Sequence, residues 1–394
     1  MLAEQFPTSL PTWINSEAVS EETKFVIAAA ASTPPRGLRE WALRVRPNWE
    51  LVWQESLRLG VAPLVGEFLT RHCADANPPP QFGELIRHNA IRNLKLTAEL
   101  FQIERLCAER GIRLVSFKGP TLTEMVYGDL SRRAFGDLDV WVEKQNVLAV
   151  SRLLHERGYE ADLEWEAADA TFLEVCHQIQ FTKVEADLMV ELHWGFWPKY
   201  LAQDFSAELV IGNLIETRPG GKSLTTMKPE LLLLYLCLHG AKHPWETLGQ
   251  IVDVARLIER FPNLDWAQVV SLAEAHRVER MLWLGLFLAS ELVGVQLPVE
   301  VAQRIRRDGE VQRLAATAAR WLFCGGEGPQ NKPQTTTYYF RLQQGLWRKL
   351  RFLWRLLMVP TYSDWKMIRL PIAWLPIYPL LRPFRLLKKY ARLA

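Results

Sequence analysis

The stretch FKGPTLTEMVYGDLSRRAFGDLDVWV, Phe117 to Val142, sets two aspartates, Asp137 and Asp139, in a run that otherwise reads as core. The segment LDVWV is β-branched and aromatic, which predicts a strand. Successive strand side chains point to opposite faces, so Asp137 and Asp139 share one face while Leu138 and Val140 take the core side. With Cα atoms about 7 Å apart, the two carboxylates can converge on one cation or on two neighbouring ones. Without a cation they repel and raise each other's pKa. Replacing both by Asn is therefore expected to leave the cation-free fold no less stable. Oxygen-only ligands suit Mg²⁺ or Mn²⁺ better than Zn²⁺.

Working outward, a third acid, Glu191, sits in LMVELHW, again apolar-flanked and on an expected strand. If that strand pairs beside LDVWV, Glu191 enters the same site; otherwise it is an edge-strand acid facing solvent. Three carboxylates on adjacent strands hold two Mg²⁺ ions and neutralise the phosphates of a nucleotide. The turn SFKGPT follows a strand and opens a helix, so Gly119 lets the backbone approach a phosphate at a helix N-terminus. Lys118 and Arg133 supply charge for a triphosphate. His193 shares a face with Glu191 and reads either as a phosphate or acceptor contact or as a packed strand histidine; His177 poses the same choice. In HGAKH, His239 and His243 have the spacing of a zinc-binding helix, but the Glu of H-E-x-x-H is missing. That helix is expected to line the cleft, with Lys242 or His239 near the nucleotide. Asp253 is expected to pair, buried, with a base on a neighbouring helix.

The periodicity divides the chain into an N-terminal helical region (1–110), an α/β core (111–220), a helical domain lining the cleft (221–323), a linker (324–337) and a basic, Trp-rich tail (338–394). In the core, strands are expected at IRLVSF, LDVWV, HQIQFTKV and DLMVELHW, with helices ending at Gly111, Gly128 and Gly158. The fold class is therefore α+β: a small mixed sheet flanked by helical regions. The five cysteines are scattered and never in CxxC spacing, as expected of packing residues in a reducing cytoplasm. The N-terminal sequence has no basic and apolar pattern of a signal peptide, and no apolar run is long enough to span a membrane.

Net charge is +3, yet from Tyr338 onward twelve Lys and Arg residues face a single acid, Asp364. Trp347, Trp354, Trp365 and Trp374 interleave with these cations. Three readings stay open for residues 346–394: an anionic membrane surface, packing on the body or on a second subunit, and, least favoured, nucleic acid.

Read together, FKGPTLTEMVYGD, RRAFGDLDVWV, HQIQF, MVELHWGFW and LCLHGAKHPWETLGQIVDVARLI resemble the bacterial family of uncharacterised nucleotidyltransferases, within the polymerase-β-like nucleotidyltransferase superfamily. The resemblance covers roughly residues 25 to 300. It implies transfer of a nucleoside monophosphate from an NTP to an acceptor, small molecule, sugar phosphate, peptide or protein, with Mg²⁺ or Mn²⁺ as cofactor. The catalytic and metal-binding positions would be Asp137, Asp139 and Glu191. Nucleotide would be held by Lys118, Gly119, Arg133, His193 and Lys242. Lys-Gly stands at the turn where the superfamily usually has Gly-Gly or Gly-Ser, and the third acid is Glu where Asp is usual. A rival from another class is a nucleotide-binding or scaffolding protein without turnover.

Overall fold

The computed structural model describes residues 11, 19–163, 170–202, 204–323 and 332–382. It is an α+β fold in which a five-stranded sheet is set among helices. Among the described residues five helices come first: α1 (Glu21–Ala30), α2 (Leu38–Val45), α3 (Trp49–Arg58), α4 (Ala62–His72) and the long α5 (Gln81–Ala108). Ser20 and Asn48 cap α1 and α3 by accepting from backbone N–H groups two or three residues further on.

The α/β core then runs β1 (Val115–Ser116), α6 (Gly119–Tyr127), β2 (Leu138–Trp141), α7 (Val147–Glu156), β3 (Glu160–Ala161), α8 (Ala170–Val175), β4 (Gln178–Lys183), β5 (Leu188–His193) and α9 (Ala207–Gly212). A two-stranded ribbon follows, β6 (Leu214–Thr217) with β7 (Leu224–Met227), packed beside β1. The main sheet has the order β1-β2-β5-β4-β3, and β2 with β5 is its one parallel pair among the described residues. Leu138, Val140, Val190, Leu192, Ile179 and Phe181 fill one face, forming a core with α5 and α7. The opposite face carries Asp139, Glu191 and His193.

Three strand expectations needed correcting. Only Val115–Ser116 of IRLVSF keeps a ladder partner, because the chain turns away at Gly119. Strand β3 and the β6–β7 ribbon were not foreseen; each strand is four residues or fewer, too short for alternation to register. Asp137 precedes β2 at a bend, so strict alternation applies only from Leu138.

The second helical region is α10 (Pro229–Lys242), α11 (Leu248–Arg260), α12 (Trp266–His276), α13 (Glu279–Leu288, prolonged by a π turn to Val293), α14 (Val299–Arg307) and α15 (Gly309–Phe323). Helix α10 is apolar on all sides, and α11, α12 and α13 surround it. The close approach needs glycine. A Cβ on Gly240 would lie 2.4 Å from the ring of Trp245, which is fully buried. Gly240→Ala is accordingly expected to destabilise the fold by about 3 kcal/mol, read as a lower urea midpoint. An unchanged midpoint would mean that the indole shifts freely.

The tail forms α16 (Lys332–Leu342), α17 (Gly345–Met358) and α18 (Tyr362–Met367), then a 3₁₀ turn Ile372–Ile377. Of the stretch read as a linker, 324–331 lies outside the described residues and 332–337 opens α16. The leader reading at 1–13 and the last twelve residues of the tail also fall outside them, Pro11 apart. Among the described residues, no helix is long and apolar enough to cross a membrane.

Candidate active site

Strands β2 and β5 pair in parallel with Asp139 opposite Glu191 and Trp141 opposite His193. Paired residues face the same way, so one row of side chains runs Asp139, Glu191, Gln180 across the sheet. His193, two residues beyond Glu191, inserts its Nε2 between the acids, 3.4 Å from Asp139 Oδ1 and 3.3 Å from Glu191 Oε2. Ligating atoms of Asp139, Glu191 and His193 lie within 4.8 Å of one another. The close-set group is thus completed by His193, where Asp137 was expected. The ring of His193 also meets Phe117 edge-on at 5.2 Å, so it is at once a packed strand histidine and a member of the acidic cluster.

Lys118 ends the turn before α6, and its Nζ lies 3.0 Å from Asp139 Oδ1. Asp139 is 1% exposed, so this is a buried ion pair. Burial alone would push the Asp139 carboxyl up, but the Lys118 ammonium and His193 imidazole outweigh it and hold it well below the usual range. The same pairing raises the Lys118 ammonium against its own burial. Asp137 has no such partner. Burial and the nearby Asp139 charge push it up to about 6. The expectation that both aspartates simply repel is therefore corrected. Asp139 is neutralised by Lys118, and Asp137 alone carries the strain.

Lys118, Arg133, Asp137 and Asp139 line a cleft of about 220 Å³, closed on the far side by Leu236 and His239 of α10 and by Thr247, Gln250 and Asp253 at and within α11. Gly119 makes the entry to α6 possible. Its φ is +51°, and an added Cβ would stand 3.3 Å from the Asp137 carbonyl oxygen. The helix N-terminus therefore sits directly against the backbone that leads into the acids.

Arg133 donates from Nε to both Asp253 oxygens, at 3.0 and 3.1 Å, and Tyr127 donates its hydroxyl to the same carboxylate at 2.7 Å. Asp253 is thus the buried, paired acid expected, but its base lies in the α6–β2 loop and not on a helix. That leaves Arg133 Nη1 buried without a hydrogen-bond partner in a side chain that lines the cleft. Lys242 is one turn beyond His239 and is not among the side chains lining the cleft; burial and the Lys118 charge bring it down to about 8. The rings of His239 and His243 touch at 4.6 Å, and among the described residues no third metal-ligating side chain joins them. Cys73, Cys107, Cys176 and Cys237 are buried, and Cys324 lies outside the described residues.

Several positioning residues escaped the sequence reading. From α5, Asn89 donates to the carbonyls of Ser131 and Arg133, Asn93 to those of Leu130 and Arg133, and Arg92 to that of Phe135. These bonds pin the loop that carries Arg133 and delivers Asp137. Two amides and an arginine on one face of a helix, at spacings of three and four, were the available signal. On the other side of the cluster, Gln178 Nε2 donates to Glu191 Oε2 at 3.1 Å. With Gln180, His177 and Tyr200 it lines a second cavity of about 670 Å³, whose outer wall includes Tyr339, Leu356 and Leu357 of the tail.

Residues 46–294 match the model of a family described as uncharacterised nucleotidyltransferases. The chain belongs to this nucleotidyltransferase family. No curated protein matches it. The nucleotidyltransferase match takes in every side chain of the cleft and stops before α14, so the tail that walls the second cavity lies beyond it.

Proposed function

We propose that the chain moves a nucleoside monophosphate from an NTP to a hydroxyl acceptor in a reaction that needs Mg²⁺ or Mn²⁺. The observation that carries this reading is the parallel register that sets Asp139 against Glu191 on a face closed by Lys118 and the start of α6. The donors fit a divalent cation: the carboxylates of Asp139 and Glu191 stand together with a ring nitrogen of His193, and Asp137 lines the same cleft as Asp139. A cation bound there supplies positive charge against the phosphates and eases deprotonation of a hydroxyl.

The chain's own groups divide the remaining work. At the start of α6, Pro120 has no N–H, so the backbone donors left for phosphate oxygens are those of Gly119 and Thr121. Lys118 turns from Asp139 to the triphosphate, and Arg133, oriented by Asp253, offers its free Nη1. Glu191 accepts the acceptor's proton while the acceptor oxygen bonds to the α-phosphorus and the bond to the bridging oxygen breaks, releasing pyrophosphate. Gln178 holds the Glu191 carboxylate in place. The acceptor then enters from the second cavity, whose lining includes Gln178, the hydrogen-bond donor to Glu191. Its mix of Gln, Tyr and Leu side chains suits an acceptor with polar and apolar parts.

The test is a screen of each α-³²P-labelled NTP with cell extract, in Mg²⁺ and in Mn²⁺, for label fixed to an acceptor, beside equilibrium binding of the same NTP. Metal-dependent transfer supports the proposal. Binding without transfer would leave a nucleotide-binding regulator, and no binding in either metal would leave a scaffold.

A further inference from the structure

Helix α17 reads GLWRKLRFLWRLLM. Leu346, Trp347, Leu350, Leu353, Trp354 and Leu357 are all exposed, Trp347 by 73% and Trp354 by 63%. At about 100° per residue these six fall in one stripe about 120° wide. The opposite side is the attached one: Phe352 is 2% exposed, and Arg348 donates to both oxygens of Glu279 on α13. The same rotation sets Lys349 on one flank of the stripe and Arg351 on the other. Neither has a carboxylate partner among the described residues, and neither do Arg355 and Lys366. Contact with the body thus uses the smaller apolar share of the helix and leaves the larger share in water, bordered by cations.

We infer that this stripe docks on an anionic lipid bilayer, with the helix lying in the plane of the surface. Charge complementarity chooses this occupant over a protein. Twelve cations against one acid from Tyr338 onward would repel a second copy of the same segment, whereas anionic headgroups meet them on both flanks. By the same rotation both tryptophans lie along one edge of the stripe, where they suit headgroup depth, and the four leucines fill the rest and reach the acyl boundary. The stripe begins well after the nucleotidyltransferase match ends, so the inference does not depend on the proposed reaction.

The experiment is flotation of the full chain with vesicles of 70% phosphatidylcholine and 30% phosphatidylglycerol, and with pure phosphatidylcholine, at low and high salt. The chain is expected to float with the anionic vesicles and to lose at least tenfold in bound fraction in high salt, on neutral vesicles, or in the triple variant Trp347→Ser, Leu350→Ser, Trp354→Ser. These side chains are exposed, so the variant should keep its circular dichroism and urea midpoint. A second variant, Lys349→Gln with Arg351→Gln, should weaken binding to anionic vesicles alone. The inference is overturned if wild type stays unbound, if it floats as well after the triple substitution, or if sedimentation shows a dimer that the triple variant abolishes.

Discussion

Asp139→Asn is expected to remove nucleotidyl transfer altogether, at least about a thousandfold in kcat/KM, and to destabilise the protein as well. The second effect follows from Lys118. Its ammonium is buried 3.0 Å from Asp139, and the neutral amide would leave that charge without a counterion. Breaking a buried pair from one side costs about 3–5 kcal/mol, so urea unfolding should show a large fall in midpoint. Adding Lys118→Met should restore much of the stability and none of the transfer. The two losses would then be separable in one double-mutant cycle. A single Asp139→Asn variant with wild-type midpoint and wild-type turnover would refute both the pairing and the proposed role.

Asp137→Asn should abolish transfer equally but move stability the other way. The Asp137 carboxyl is pushed up to about 6 by burial and by Asp139, from an ordinary value of 3.8. An acid whose pKa rises on folding favours the fold below the lower value and loses that contribution as pH climbs through the higher one. At pH 8 in chelator the ionised carboxylate therefore works against the fold, by about 1–3 kcal/mol for a shift of this size. The Asn variant should be more stable than wild type at pH 8 and should match it below about pH 4. Curves that run parallel across this range would show that Asp137 is relieved by something else.

The contrast between these two aspartates marks how far the sequence could be read. The pattern around Leu138 and Val140 located the strand, and the apolar flanks of Glu191 marked a third strand acid, whose place beside Asp139 hung on a pairing that only the folded sheet shows. What a pattern cannot carry is a contact between distant side chains. Nothing in FKGPT indicates that Lys118 closes on Asp139, and so both aspartates looked equally repelled. His193 was legible as a neighbour of Glu191 on the same face, yet its position between two acids depends on the ladder register. Asn89, Arg92 and Asn93 read as the polar side of an amphipathic helix, and only the folded loop beneath them shows that they carry Arg133 and Phe135. In α17, Phe352 and Trp354 are alike by composition. Which of them is buried was decided by the pairing of Arg348 with Glu279, far away in sequence.

Both margins of the main sheet are cut short: β1 and β3 are two residues each, and the β6–β7 ribbon lies beside β1. An open margin normally invites another chain to add itself by backbone hydrogen bonding, the first step toward fibrils. Here a newcomer would find one or two rungs and then loop. The sheet that carries the acids is thus shielded from strand addition even if it is briefly laid bare. Clumping at high concentration would more readily start at the sticky helical stripe of α17, where mild detergent, and not denaturant, should reverse it.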